Sequence, residues 1–262
     1  MKPVEEQGYL IVATNTQNTD YVNCSETLAK TIKYWHPDAK ICLLTNEPVG
    51  TGPLFDHVRE FPFPIDTANP YANDWQVFHA TPFRETIKLE ADMLITSPID
   101  HWWNLLRHRD IVVSTGCRDW KDRRASARHY RQVFDANNLP DVYNAITYWR
   151  LSATAQEFFV TVRNIFENWP HYRAMLKFPE QAPSTDVVYA IAATIIGPEN
   201  CTLPFARYPT IIHMKRHIIA AKRDPWVDEL ICEYRDYELR VNTIMQHGAF
   251  HYNVKEWRRD PR

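Results

Sequence analysis

Two acids one residue apart, Glu90 and Asp92, stand in an otherwise apolar run at residues 85–98 (ETIKLEADMLITSP), and no other side chains in the sequence are better placed for chemistry. On a strand, side chains at i and i+2 point to the same face, so the two carboxylates are expected to converge. Flanked by Ile87, Leu89, Met93 and Ile95, the strand reads as central and buried. Two carboxylates are costly there unless something positive pairs with them. A hard divalent cation, which prefers oxygen ligands, is the expected partner. The plainer alternative is a strand end that runs out into solvent with acids at its tip.

A second chemical feature is the polar stretch at residues 118–131 (RDWKDRRASARHYR). It holds Arg118, Lys121, Arg123, Arg124, Arg128 and Arg131 against only Asp119 and Asp122, in a chain whose net charge is −2. Trp120 and Tyr130 interleave with the charges. Basic residues contact phosphates and aromatic rings stack on bases, so a nucleic-acid partner is one reading. The other is a solvated loop, as most charge runs are.

The elements that must position these residues alternate. Residues 9–13 (YLIVA) and 40–45 (KICLLT) read as buried strands. Between them Asp20 opens a helix on which Tyr21, Cys24, Leu28, Ile32 and Trp35 recur at helical spacing. Residues 58–63 read as a third strand, 75–80 as a short helix, 98–107 as a helix with proline in its first turn, and 110–115 as a further strand. Beyond these come a strand at 144–151, a helix at 152–169 with Ser152 as its cap, an apolar helix from Ser184 to Ile196, and a strand at 208–213. Such alternation predicts an α/β fold with a mostly parallel central sheet and helices on both faces, its ligand lying outside the carboxyl ends of the strands.

Composition narrows the class. At 262 residues, 45% hydrophobic and 13% aromatic, the chain has ample material for a core and is expected to form one large domain. A net charge of −2 calls for no polyanion or membrane globally, so any such partner must be recognised locally. Five cysteines with no CxxC argue for a reducing compartment and against a zinc site. The charged start (MKPVEEQ) and the short apolar run at 187–196 predict neither a secretory leader nor a membrane span, hence a cytoplasmic protein.

The order of motifs resembles the nucleotide-sugar glycosyltransferases of the GT-A fold, in particular the retaining glycogenin and galactosyltransferase group. That group carries Asp-x-Asp at a strand end, then Asn-Ala/Gly-hydrophobic, then an Asp at a helix start, then a late His. Here Glu90-Ala91-Asp92, Asn144-Ala145-Ile146, Ser184-Thr185-Asp186 and His251 stand in that order. The chain resembles more closely a set of tailed-phage glycosyltransferases, over nearly its whole length, through YLIVATN, DYV, HATPF, KLEADML, HWW, HMK and GAFHY. One activity in that set adds arabinose to 5-hydroxymethylcytosine in phage DNA.

The resemblance implies a set of roles. Mn²⁺ or Mg²⁺ would be held by Asp92, Glu90 and His251, with His213 as the alternative imidazole. A UDP-sugar would place its nucleoside against Thr14, Asn15 and Tyr21, whose ring can stack on uracil. Lys215 would meet the diphosphate as a point charge, or stand as a solvated surface lysine. Asn144 and Asp186 would contact the sugar, the plainer reading of Asp186 being a first-turn aspartate at a helix start. Trp75, His79 and Arg84 are pocket candidates by position. Lys121, Arg123, Arg124 and Arg128 would bind a DNA acceptor in the infected host cytoplasm, the target base being flipped out where the pocket is deep. A glycan or protein acceptor, or a non-catalytic binding protein, remain the alternatives. The chain departs from the group at Glu90, where Asp is usual, and at Asp74, where a basic residue is expected beside Trp75.

Overall fold

The computed structural model of the chain describes residues 3–125, 131–204, 209–223 and 225–255. In chain order its elements begin with β1 (Glu5–Val12), α1 (Tyr21–Trp35), β2 (Ile41–Leu44), β3 (His57–Arg59), a 3₁₀ segment (Pro70–Gln76), α2 (Val77–Ala80), β4 (Phe83–Glu90) and β5 (Met93–Ile95). There follow α3 (His101–Leu106), β6 (Ile111–Thr115), α4 (Gln132–Ala136), β7 (Val142–Arg150), α5 (Ala153–Glu167), α6 (Trp169–Leu176) and α7 (Thr185–Ile196). The last elements are α8 (Pro198–Cys201), β8 (Ile211–His213), α9 (Arg216–Ile219), β9 (Cys232–Arg235), β10 (Glu238–Val241), β11 (Ile244–Met245) and β12 (Ala249–His251).

Among the described residues, the central sheet has the order β3-β2-β1-β4-β7-β6. Alternate residues of its strands feed two cores. Tyr9, Ile11, Leu43, Ile87 and Leu89 pack on the side of α1 and α3, whereas Leu10, Leu44, Val113 and Trp149 pack with α5 and α7. A sheet covered on both faces needs the near-continuous apolar strands the sequence supplies. The caps fall where expected: the Asp20 carboxylate accepts from Asn23 N–H at 2.9 Å to start α1, and Ser152 Oγ accepts from Ala155 N–H to start α5.

Two departures from the expected strands create the site. First, β3, β2, β1 and β4 run parallel, but β7 runs antiparallel to both β4 and β6. The start of β7 therefore lies at the carboxyl end of β4, with Ile146 opposite Leu89 and Asn144 two residues before that pair on β7. Second, residues 85–98 are not one strand. The chain leaves the central sheet after Glu90, turns at Ala91-Asp92, and continues as β5 in a separate sheet ordered β5-β12-β8. The i, i+2 argument for one strand face thus does not apply; a turn between two sheets brings the acids together. Pairing of His251 with both Met93 and His213 sets the end of β12 beside that turn. Strands β9, β10 and β11 form a small antiparallel sheet of their own.

Candidate active site

Glu90 ends β4, Asp92 lies in the turn after it, and His251 ends β12; one ligand atom from each lies within 4.8 Å of the others. His251 Nε2 is 2.7 Å from Asp92 Oδ2 and 3.5 Å from Glu90 Oε2. Lys255 Nζ donates to the same Asp92 oxygen. Asp92 and His251 are buried, while about a third of the Glu90 side chain (34%) is exposed.

The charges respond to one another. Burial opposes ionisation of Asp92, but His251 and Lys255 overcome it and hold the carboxyl well below the ordinary range. Burial and the like charge of Asp92 push Glu90 up, against the pull of His251 and Lys88. Burial works against a charged His251, yet Asp92 and Glu90 outweigh it and its affinity for a proton rises. His251 thus faces both carboxylates, and Lys255 answers Asp92. Two oxygen donors and one imidazole, converging on one point, fit a divalent cation of the Mn²⁺ or Mg²⁺ type.

Beneath this group lies a buried polar network. Lys88, two residues before Glu90 on β4, sends its ammonium to both oxygens of Asp74 at 2.6 and 2.7 Å, with only 3% of its side chain exposed. Asn144 Nδ2 donates to Asp74 Oδ2 at 3.1 Å, and the Tyr189 hydroxyl donates to the same oxygen. The unexpected acid at position 74 is therefore neutralised from the sheet rather than left facing a donor. Asn144 also turns its backbone N–H to Asp186 Oδ1 at 2.8 Å, and Arg131 Nη2 reaches Asp186 Oδ2 at 2.8 Å. Lys88 and Asp186 both act electrostatically on Glu90, which joins this network to the carboxylate group above it.

The other expected residues divide. The Tyr21 ring faces the site, with Lys255 Nζ 5.3 Å from its centre. Asn15 Oδ1 accepts from Val22 N–H at 3.1 Å and so helps to start α1, while Thr14 is exposed after β1. Lys215 is exposed, and its N–H donates to His213 Nδ1 at 3.3 Å. The His213 ring lies 4.4 Å from that of His251, outside the three-residue group. Arg84 pairs with Glu6 at 3.2 Å at the opposite end of β4, and Trp75 and His79 stack about Phe63.

In the polar stretch, Arg118 pairs with Asp122 at 3.1 Å and Arg123 with Asp119 at 2.7 Å. Lys121 lies over the Trp120 ring at 4.6 Å, Arg124 is exposed, and Arg128 lies outside the described residues. Arg131 is buried against Asp186, away from any solvated role. Lys255, Lys88 and Tyr189 are absent from the sequence expectations, while Asp74 stood there only as a departure from the group and Arg131 only as part of the basic stretch. Lys255 had a signal, four positions after His251; the others reach the site only through pairings that the fold creates.

No family model matches the chain, and no curated protein sequence does. Its fold is shared with solved structures. The galactosyltransferase LgtC, crystallised in complex with donor and acceptor sugar analogues, superposes with a TM-score of 0.53 at 15% identity, over 97% of this chain and 90% of that one. Mouse xyloside xylosyltransferase 1 in its apo form gives 0.53 at 12% identity, over 96% and 99%. The glycosyltransferase GlyE of Streptococcus pneumoniae gives 0.52 at 10% identity, over 98% of this chain and 58% of that one. The chain has the fold of these GT-A glycosyltransferases.

Proposed function

We propose that the protein is a metal-dependent glycosyltransferase that moves a sugar from a nucleoside-diphosphate donor to a hydroxyl acceptor. The observation that carries this reading is the convergence of Glu90, Asp92 and His251 where two sheets of a GT-A fold meet. When bound there, a divalent cation supplies Lewis-acid neutralisation of the departing diphosphate. Asp92, His251 and Glu90 would hold it. Lys255, which donates to the same Asp92 carboxylate, would offer its charge to the diphosphate, a role the sequence reading gave to Lys215. Tyr21 offers its ring to the base.

The bond between the sugar's anomeric carbon and the diphosphate oxygen breaks, and its electron pair stays with the diphosphate. The acceptor oxygen forms the new bond to that carbon, and the acceptor proton departs with the diphosphate. Asp186, oriented by Asn144 and Arg131, would contact the sugar as positive charge develops at the anomeric centre.

The finer reading is a UDP-sugar donor, with arabinose as the sugar and 5-hydroxymethylcytosine in DNA as the acceptor. Its support is the motif resemblance to tailed-phage enzymes, together with the exposed Lys121 and Arg124. The neutralisation of Arg118 and Arg123 within their own segment favours a second reading, a glycan or protein acceptor on the same site. Mass spectrometry of hydroxymethylcytosine DNA, after incubation with a panel of UDP-sugars and Mn²⁺ or Mg²⁺, separates them. A pentose mass increment is the expected result. Transfer to other acceptors only would sink the DNA reading, and no turnover of any donor would leave a binding protein.

A further inference from the structure

We propose that Arg131 is a positioning residue of the transfer site, fixing the Asp186 carboxylate in the direction from which it meets the donor sugar. The inference rests on the reading of Asp186 as a sugar-contacting group. Arg131 closes the polar stretch but does not share its character, since only 4% of it is exposed. Its guanidinium is divided between two carboxylates. Nη1 donates to Asp141 Oδ1 at 3.1 Å and to the Val142 carbonyl at 2.7 Å, and Nη2 donates to Asp186 Oδ2 at 2.8 Å. The guanidinium lies 3.8 Å from the centre of the Tyr143 ring and 4.7 Å from that of Phe134.

Withdrawing this charge from water is costly unless it is paired. Asp141 and Val142 already supply a charge partner and an acceptor, so the anchoring of α4 and β7 does not need the second arm. That arm goes instead to a carboxylate whose side chain keeps 33% of its surface exposed. The remaining Asp186 oxygen is held by Asn144 N–H. Both oxygens are thus fixed from within, while the group as a whole keeps a third of its surface exposed.

A second contact ties Arg131 to the metal-binding group. The Tyr143 ring over which it lies meets His213 edge-on at 5.9 Å, and His213 lies 4.4 Å from His251. One guanidinium therefore links the sugar-facing carboxylate to the rings that end at the His251 imidazole. Lysine carries the same charge but not the fork, and cannot hold both acids at once.

The test is a double-mutant cycle on the full chain, read as UDP release from UDP-arabinose and UDP-glucose with Mn²⁺. Arg131→Met is expected to lower kcat about 10- to 100-fold, the cost of a misplaced reacting group. KM for the donor should stay within about threefold, because ground-state binding is not what is lost. On an Asp186→Asn background, Arg131→Met should cost nothing further, as for two residues acting through one group. Asp141→Asn, which cuts only the anchoring arm, should lower the melting temperature and leave kcat within about threefold of wild type.

Losses that multiply between Arg131 and Asp186, or an equal kcat loss in Asp141→Asn, overturn the proposal. If Arg131→Met does not fold, Arg131→Lys carries the same cycle; if neither folds, Arg131 is structural and the proposal is wrong. Full activity of Asp186→Asn alone sinks the reading of the site itself, a result distinguishable from failure of the Arg131 step.

Discussion

Asp92 illustrates how much of the chemistry rests on a single side chain. It is buried, it accepts from both His251 and Lys255, and the pull of those two groups keeps it ionised. Asp92→Asn keeps the shape and removes the charge that a cation requires. We expect Mn²⁺-dependent UDP release to fall about a thousandfold, the scale of losing Lewis-acid stabilisation. The binding readout is independent of turnover: Mn²⁺ alone should raise the melting temperature of the wild-type protein and not that of the variant. A variant that keeps both the activity and the Mn²⁺ shift would refute the assignment of Asp92 as a ligand. The nearness of Glu90 and Asp92 was legible in their spacing, and the order of motifs added His251 to them; the three lie together in the fold. Lys88 was not legible, because a lysine between Ile87 and Leu89 reads as an interruption of an apolar pattern rather than half of a buried pair with Asp74. The sequence counts Arg131 with the basic residues offered to a nucleic acid or to solvent, since nothing in a local charge count reveals a partner 55 residues away.

Secondary-structure elements place these side chains, and their strain points can be tested. Gly248 precedes β12 with φ +77°, donates its N–H to Ser97 Oγ at 2.9 Å, and would set a Cβ 2.9 Å from the Thr210 carbonyl oxygen. Gly248→Ala is therefore expected to destabilise the fold by about 1–3 kcal/mol in chemical denaturation. Because β12 carries His251, Mn²⁺ affinity should drop about tenfold as well, the scale of disturbing a ligand's support. A stability loss with unchanged Mn²⁺ affinity would show that β12 does not transmit the strain. Asp56 ties elements elsewhere: it accepts from Lys33 on α1, from Lys40, and from the first N–H of β2 at 3.0 Å. Burial opposes its ionisation, but these donors prevail and lower the carboxyl from 3.8 to about 2. A depressed folded-state value stabilises above the unfolded one and is lost on acidification, so the contribution should vanish between about pH 4 and pH 2. Allowing for its partial exposure, the wild type should lose about 1 kcal/mol more than Asp56→Asn across that window; parallel pH curves would refute this. Strand existence was legible throughout the first half, whereas strand direction was not. Apolar periodicity is the same for parallel and antiparallel neighbours, so the reversal of β7 left no trace. The turn at Ala91-Asp92 was hidden as well, because residues 85–97 contain neither Gly nor Pro to mark it.

At the scale of the whole molecule, charge decides what the protein can attract. With a net charge of −2 it has no global pull on a polyanion, so a DNA acceptor must be held by local cations. The six basic residues of the stretch at 118–131 overstate that capacity. Arg118 and Arg123 are answered by Asp122 and Asp119, Arg131 is buried on Asp141 and Asp186, and among the described residues Lys121 and Arg124 remain exposed. From the described residues of this surface a partner would feel about two charges rather than five, and counterion release makes that number measurable. Binding of a hydroxymethylcytosine duplex, followed between about 50 and 200 mM salt, should therefore show a log–log slope that falls by about two when Lys121 and Arg124 are both replaced by serine. Replacing Arg123 should change the slope by less than one, since removing it leaves the Asp119 charge in its place. An unchanged slope in the double variant means that DNA does not bind here. If the wild-type slope is itself flat, the protein holds no duplex electrostatically, and the glycan or protein acceptor becomes the favoured reading.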